Sequence, residues 1–181
     1  MTDADRFDAF VRRYEDMVFG LAVRLLGGAV EAEDVAQTVF LKAFERFDTI
    51  GDSPTAGGWL KTVTTHLCLN HLSRYRSRWR FFSELARDDA GQDDEGYEGT
   101  VPAESSPALD LERADEHARL ERALRALPDH QRVPLVLFHF EQRSYQDIAA
   151  ALGVSVGKVK TDIHRGRQVL RQQLTVGDAP S

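Results

Sequence analysis

Thirty residues in the middle of the chain, Ser83 to Glu112, hold ten acids against one base, Arg87, along with Gly91, Gly96, Gly99, Pro102 and Pro107. Large apolar side chains are few there. A segment of one-sign charge and low hydrophobicity cannot bury enough surface to offset the entropy of ordering it. It reads as a flexible acidic linker, with an ordered acidic loop packed on its own protein as the alternative. A hydrophobic core must then form separately on either side. That divides the 181 residues into a first domain at 1–82, the linker at 83–112, a second domain at 113–174 and a tail at 175–181.

The linker also changes what the charge means. The chain carries 23 basic and 29 acidic residues, net −6, which taken whole argues against a nucleic-acid partner. Split by segment, residues 1–82 are neutral, 83–112 sum to −9 and 113–181 to +3. No apolar run reaches the ~18–20 residues needed to span a bilayer. The polar opening Met-Thr-Asp-Ala-Asp-Arg does not fit a signal peptide. Cys68 is the only cysteine, which excludes an intrachain disulfide and a four-cysteine zinc site. These features point to a cytoplasmic protein without membrane insertion.

Both flanks read as all-α. Phe7, Phe10, Val11, Tyr14, Met17, Val18, Leu21 and Leu25 recur at three- and four-residue steps, one stripe of an amphipathic helix that Gly27-Gly28 stops. A second stripe runs through Ala32, Val35, Ala36, Val39, Phe40, Ala43, Phe44 and Phe47. Asp48 to Gly58 reads as a loop, and a third helix starts at about Trp59 and continues past Trp79. Its expected buried side is Leu60, Val63, Leu67, Leu72, Tyr75 and Trp79.

Past the linker, Ala114 to Leu127 reads as a helix, and Val133 to Phe140 as another, with Asp129 as N-cap and Pro134 in its first turn. Ser144 then caps a short helix burying Ile148, Ala149 and Leu152. Gly153-Val154-Ser155 is a turn, followed by a helix that buries Val156, Val159, Ile163 and Leu170. Helix, short glycine-containing turn and helix is the helix-turn-helix pattern.

Catalytic signatures are missing: no phosphate-binding loop, no H-E-x-x-H, no G-x-S-x-G and no dinucleotide fingerprint. His66, Cys68 and His71 invite a metal reading. Positions 66 and 68 face apart on a helix, however, and no fourth ligand is near, so they read as a buried thiol and two surface histidines. No metal or cofactor is expected. The chain reads as a binding module rather than an enzyme.

Its basic residues cluster twice. Residues 59–82 hold Lys61, Arg74, Arg76, Arg78 and Arg80 with no acid, interleaved with Trp59, Tyr75, Trp79, Phe81 and Phe82. Cations that neutralise phosphate beside rings that stack on bases suit a partly single-stranded nucleic acid. Alternatively the rings are core and the arginines a solvated face. Ser155 to Gln172 carries Lys158, Lys160, Arg165, Arg167 and Arg171 against Asp162. Its outward line is read as Ser155, Lys158, Thr161, Asp162 and Arg165, suited to a major groove. On the second helix, Glu33, Asp34, Gln37 and Leu41 fall opposite Val35 and Val39, which suggests a protein contact.

Together these residues resemble an extracytoplasmic-function sigma factor of bacterial RNA polymerase. The resemblance rests on Glu33-Asp34-Val35-Ala36-Gln37-Thr38-Val39-Phe40, Trp59-Leu60, Leu67 to Arg74, Leu127-Pro128, and Ser144-Tyr145-Gln146-Asp147-Ile148-Ala149. Leu152 to Lys160 and His164-Arg165-Gly166-Arg167 complete it. It implies that 1–82 is sigma domain two and 113–174 sigma domain four. Glu33, Asp34, Gln37 and Leu41 would then bind the β′ clamp helices of core polymerase. Lys61, His66, Asn70, Arg74 and Arg76, with the loop at 48–58, would engage the −10 element. Ser155, Lys158, Lys160, Thr161, Arg165 and Arg167 would read the −35 element, with the same domain on the β flap. Further implied partners are promoter DNA and, as in many relatives, a sequestering anti-sigma factor. The chain departs from the family pattern at His66, Asn70, Lys158 and Thr161-Asp162, so no promoter sequence carries over. The other readings of the residues are a stand-alone helix-turn-helix regulator and a nucleic-acid-processing protein.

Overall fold

A computed structural model describes residues 2–75 and 107–176. The chain divides into two compact units, 1–77 and 78–181, and no strand occurs among the described residues. The linker expectation falls on residues of which 83–106 lie outside those described, as do Arg76, Arg78, Trp79, Arg80, Phe81 and Phe82.

In the first unit, α1 spans Asp3–Leu26 and opens on a capping box: Thr2 Oγ1 accepts from the Asp5 amide, and the Thr2 amide donates to Asp5 Oδ2. Gly27 ends it with φ of 76°, a left-handed turn that glycine adopts without a Cβ penalty. Helix α2, Ala29–Glu45, packs on α1 through Ala32, Val35, Val39 and Ala43. The expected loop at 48–58 is more structured than its composition suggests. It holds a single-turn α3, Phe47–Ile50, whose Ile50 is buried.

Helix α4, Ala56–His71, starts three residues before Trp59 and stops well short of Trp79, tightening into a 3₁₀ turn at Leu72–Tyr75. Its buried side also differs from the expected line. Leu60, Thr64, Thr65, Cys68, Leu69 and Leu72 are buried, while Val63 and Leu67 are half-buried. The reason lies in the packing: α4 meets both α1 and α2, and that wedge needs an arc about one residue removed from the large apolar positions. Small Thr64 fits it because its hydroxyl donates to the Leu60 carbonyl at 2.7 Å, which satisfies that buried donor.

The second unit contains α5 (Pro107–Ala126), α6 (Asp129–His139), α7 (Tyr145–Leu152) and α8 (Val156–Val176). Helix α5 reaches back to Pro107, inside the segment read as linker. Helix α6 begins earlier than its apolar run implies. Pro128 is its cap residue and Asp129 its first helical residue, so Pro134 sits inside the helix rather than in its first turn. Asp129 instead pairs with buried Arg132, whose Nη1 donates to the Leu127 carbonyl at 2.8 Å and ties the α5–α6 turn. Ser144 caps α7 by accepting from the Asp147 amide, and Gly153 ends it in the left-handed region. Helix α8 packs on α5, α6 and α7. It comes so close to α6 that a Cβ at Gly166 would stand 3.0 Å from Leu135 Cδ1. Leu124, Leu127, Leu135 and Leu170 form one core cluster there.

Candidate functional site

Helix α2 presents two unlike faces. One fills the core; the other exposes Glu33, Asp34 and Gln37, and leaves Leu41 66% and Phe44 61% accessible. Phe44 was expected on the buried stripe. Instead it lies at the edge of that core, its ring edge-on to Phe7 at 5.0 Å. With Phe7, Val11 and Phe19 of α1 and Ala36, Phe40 and Leu41 of α2, it lines a groove of about 680 Å³. Glu15, Asp16 and Glu33 also line it, adding three carboxylates to a largely apolar trough. An apolar trough with charges of one sign suits a protein segment that is apolar on one side and basic at its edges. Three of the four residues singled out in the sequence, Glu33, Gln37 and Leu41, meet in this groove; Asp34 is exposed beside it. The contribution of α1 went unread. Its signal was an apolar arc, from Phe10 round to Phe19, wider than the roughly 100° one buried face requires.

Helix α4 carries a continuous exposed line through Gly58, Thr62, His66 and Asn70, and exposed Ser73 follows it in the 3₁₀ turn. His66 and Asn70 thus share one face, with Lys61 half-buried to its side. Arg74 follows in the 3₁₀ turn. Cys68 faces the opposite way, fully buried, and burial pushes its thiol up to about 12. No group of three metal-ligating side chains occurs among the described residues. At pH 8 a maleimide is therefore expected to leave the folded protein unmodified and to label Cys68 only as urea unfolds the first unit. Labelling of the native protein at the rate of a free thiol would contradict this burial.

Helix α8 corrects one part of the sequence reading. Lys158 and Asp162, placed on the outward line, are both buried, with side chains 4% and 6% accessible. Lys158 Nζ donates to Asp162 Oδ2 at 2.7 Å. Desolvation raises the Asp162 pKa above the usual carboxylate value, countered in part by Lys158, His130 and Arg165. Neither side chain can reach a nucleic-acid ligand from there. Lys160 and Arg165 are exposed, Arg167 and Thr161 half-buried. Ser155 Oγ accepts from the Lys158 amide at 3.1 Å, and Thr161 Oγ1 donates to the Gly157 carbonyl at 3.0 Å. Those hydroxyls are partly committed to the helix itself. His164, Gln168 and Arg171 are also exposed on α8, although none of the three is among the residues expected at the −35 element.

Comparison with known families matches the two units in order: the pattern described as "Sigma-70 region 2" over residues 10–79 and "Sigma-70, region 4" over 117–170. Across 174 residues the chain is 30% identical to the ECF RNA polymerase sigma factor SigW of Bacillus subtilis, covering 95% of this chain and 90% of that one. The chain belongs to the ECF sigma factors. It is similarly 32% identical to the RNA polymerase sigma-H factor of Pseudomonas aeruginosa, over 95% of this chain and 88% of that one. Against the ECF sigma factor SigE of Mycolicibacterium smegmatis the identity is 37%, over 93% of this chain but 61% of that longer one. An ECF sigma factor is a transcription initiation factor of RNA polymerase, not an enzyme. No helix among the described residues is long and apolar enough to cross a membrane.

Proposed function

We propose that this sigma factor holds core polymerase in the α1–α2 groove, engages the −10 element with the exposed line of α4, and reads the −35 element with α8. The observation that carries it is α2 itself. A helix whose core face is complete still exposes Leu41 and Phe44 beside Glu33 and Gln37, an arrangement that water disfavours and a partner helix would cover. The β′ clamp helices are the assigned occupant, and the β flap the assigned contact of the second unit. An anti-sigma factor that seals the groove would block polymerase by competition. The site of action is the cytoplasm, where polymerase is.

On DNA, Lys61, His66, Asn70, Arg74 and Arg76 are assigned to the −10 element. Ser155, Lys160, Thr161, Arg165 and Arg167 are assigned to the −35 element. Lys158 stands outside that set because its ammonium is buried on Asp162. The polymerase- and −10-binding domain is assigned to 1–82 and the −35-reading domain to 113–174, with the first turns of α5, from Pro107, leading into it. Exposed cations supply phosphate affinity, while a bidentate base contact contributes about 1–3 kcal/mol of discrimination.

Reconstitution with core polymerase and a promoter library tests this reading. Specific initiation is expected. Arg165→Ala should lower initiation from −35-dependent promoters, and Asp34→Ala with Gln37→Ala should weaken core binding several-fold. Duplex binding with no affinity for core would instead identify a stand-alone helix-turn-helix regulator.

A further inference from the structure

Two cations of α8 are held in a way that Lys158 is not. Lys160 Nζ lies over the Tyr145 ring, 5.7 Å from its centroid. Tyr145, the first residue of α7, stacks on Phe138 of α6 with centroids 4.7 Å apart and planes 11° from parallel. Arg167 Cζ lies over the Phe138 ring at 5.6 Å, and its Nε donates to His139 Nε2 at 3.0 Å. Desolvation and the Arg167 charge lower the His139 pKa, which favours the neutral imidazole this bond needs. Lys160 and Arg167 are seven residues apart, hence on one face of α8 and about 10 Å apart along it.

We infer that Tyr145 and Phe138 are positioning residues for DNA: a stacked ring pair, supplied by the two preceding helices, on which Lys160 and Arg167 are laid before the backbone arrives. This rests on the proposed reading that α8 meets DNA. A carboxylate partner, as at Lys158, cancels the charge it holds. A ring face restrains a cation and leaves that charge able to attract phosphate. Lysine and arginine also lose the most side-chain entropy when fixed. Restraint in the free protein removes part of that cost from the binding step. Lys160 remains exposed while so held, as a phosphate contact requires.

The test uses the full chain and a mixed-sequence 30-base-pair duplex, with affinity followed by fluorescence anisotropy over a salt series. Lys160→Gln should weaken binding and make the log-affinity against log-salt slope shallower by about one. Tyr145→Leu should weaken binding by about three-fold, and Tyr145→Phe, which keeps the ring face, should restore it. In the Lys160→Gln, Arg167→Gln background, Tyr145→Leu should have no further effect, whereas a loss caused by general loosening of the unit would persist there. Full additivity in that background, or unchanged binding by Tyr145→Leu in the otherwise wild-type chain, overturns the inference. If Lys160→Gln and Arg167→Gln together leave affinity and salt slope unchanged, the assignment of α8 to DNA falls with it.

Discussion

Asp162→Ala is expected to destabilise the region 4 unit by about 3–5 kcal/mol, among the largest costs a single substitution in this chain can carry. The size follows from what is left behind. Lys158 is 4% accessible, and without Asp162 its ammonium stays buried with neither the carboxylate nor enough water to solvate it. The pair itself is a different matter. Burying two charges costs several kcal/mol per ion, and their attraction only roughly repays it. Lys158→Met with Asp162→Leu should therefore unfold within about 1 kcal/mol of wild type, or later. Urea unfolding followed by circular dichroism, with hydrogen exchange of the α8 amides, measures both. A single variant as mild as the double one would show that the pair is not buried as described.

The pH dependence has a definite sign. Burial raises the Asp162 pKa in the folded chain above its unfolded value, so the native state holds that proton more firmly. Its contribution to stability is then most favourable below the unfolded carboxylate pKa, near about 4, and falls as pH rises through the raised native value. The double apolar variant lacks this group. Its stability relative to wild type should therefore increase across that window and level off above it. An opposite slope would mean that Lys158 outweighs desolvation.

Leu41→Asp is expected to lower affinity for core polymerase by about 30- to 1000-fold, the range of a 2–4 kcal/mol hot spot. It should do so without unfolding the chain. Leu41 is 66% accessible and takes no part in the α2 core of Ala32, Val35, Val39 and Ala43, and such surface changes usually shift stability by under about 0.5 kcal/mol. The new carboxylate would join Glu15, Asp16 and Glu33 in the groove and need desolvation on docking. Glu15→Lys, a charge reversal there, should chiefly slow association and alter its salt dependence. Surface-immobilised core polymerase separates the two effects. Unchanged affinity of Leu41→Asp would remove the groove as the docking surface.

These residues also show how far sequence carries the argument. The acidic split, the helical periods, the Ser144 cap and the Gly153 turn are local properties. Each depends on residues within about four positions, so order, type and approximate limits of most elements were legible. The face of α2 bearing Glu33, Gln37 and Leu41 was legible too, since Val35 and Val39 opposite them had to be buried. Helix α4 was read less well. Its buried arc follows the wedge between α1 and α2, and that angle is absent from its own spacing.

The chain's sequence alone determined that it is helical, built around two separate cores, and equipped with a helix-turn-helix and an acid-and-leucine face. Tertiary structure alone decided where Lys158 and Asp162 point, that Phe44 joins Phe7 and Phe19 in an open groove, and that Tyr145 and Phe138 meet under two cations. The physical reason is common to all three. A helical period states which side chains share a face, but burial depends on the neighbouring helix that covers that face. The charge on Lys158 therefore said little about its role until α6 and Asp162 were seen beside it.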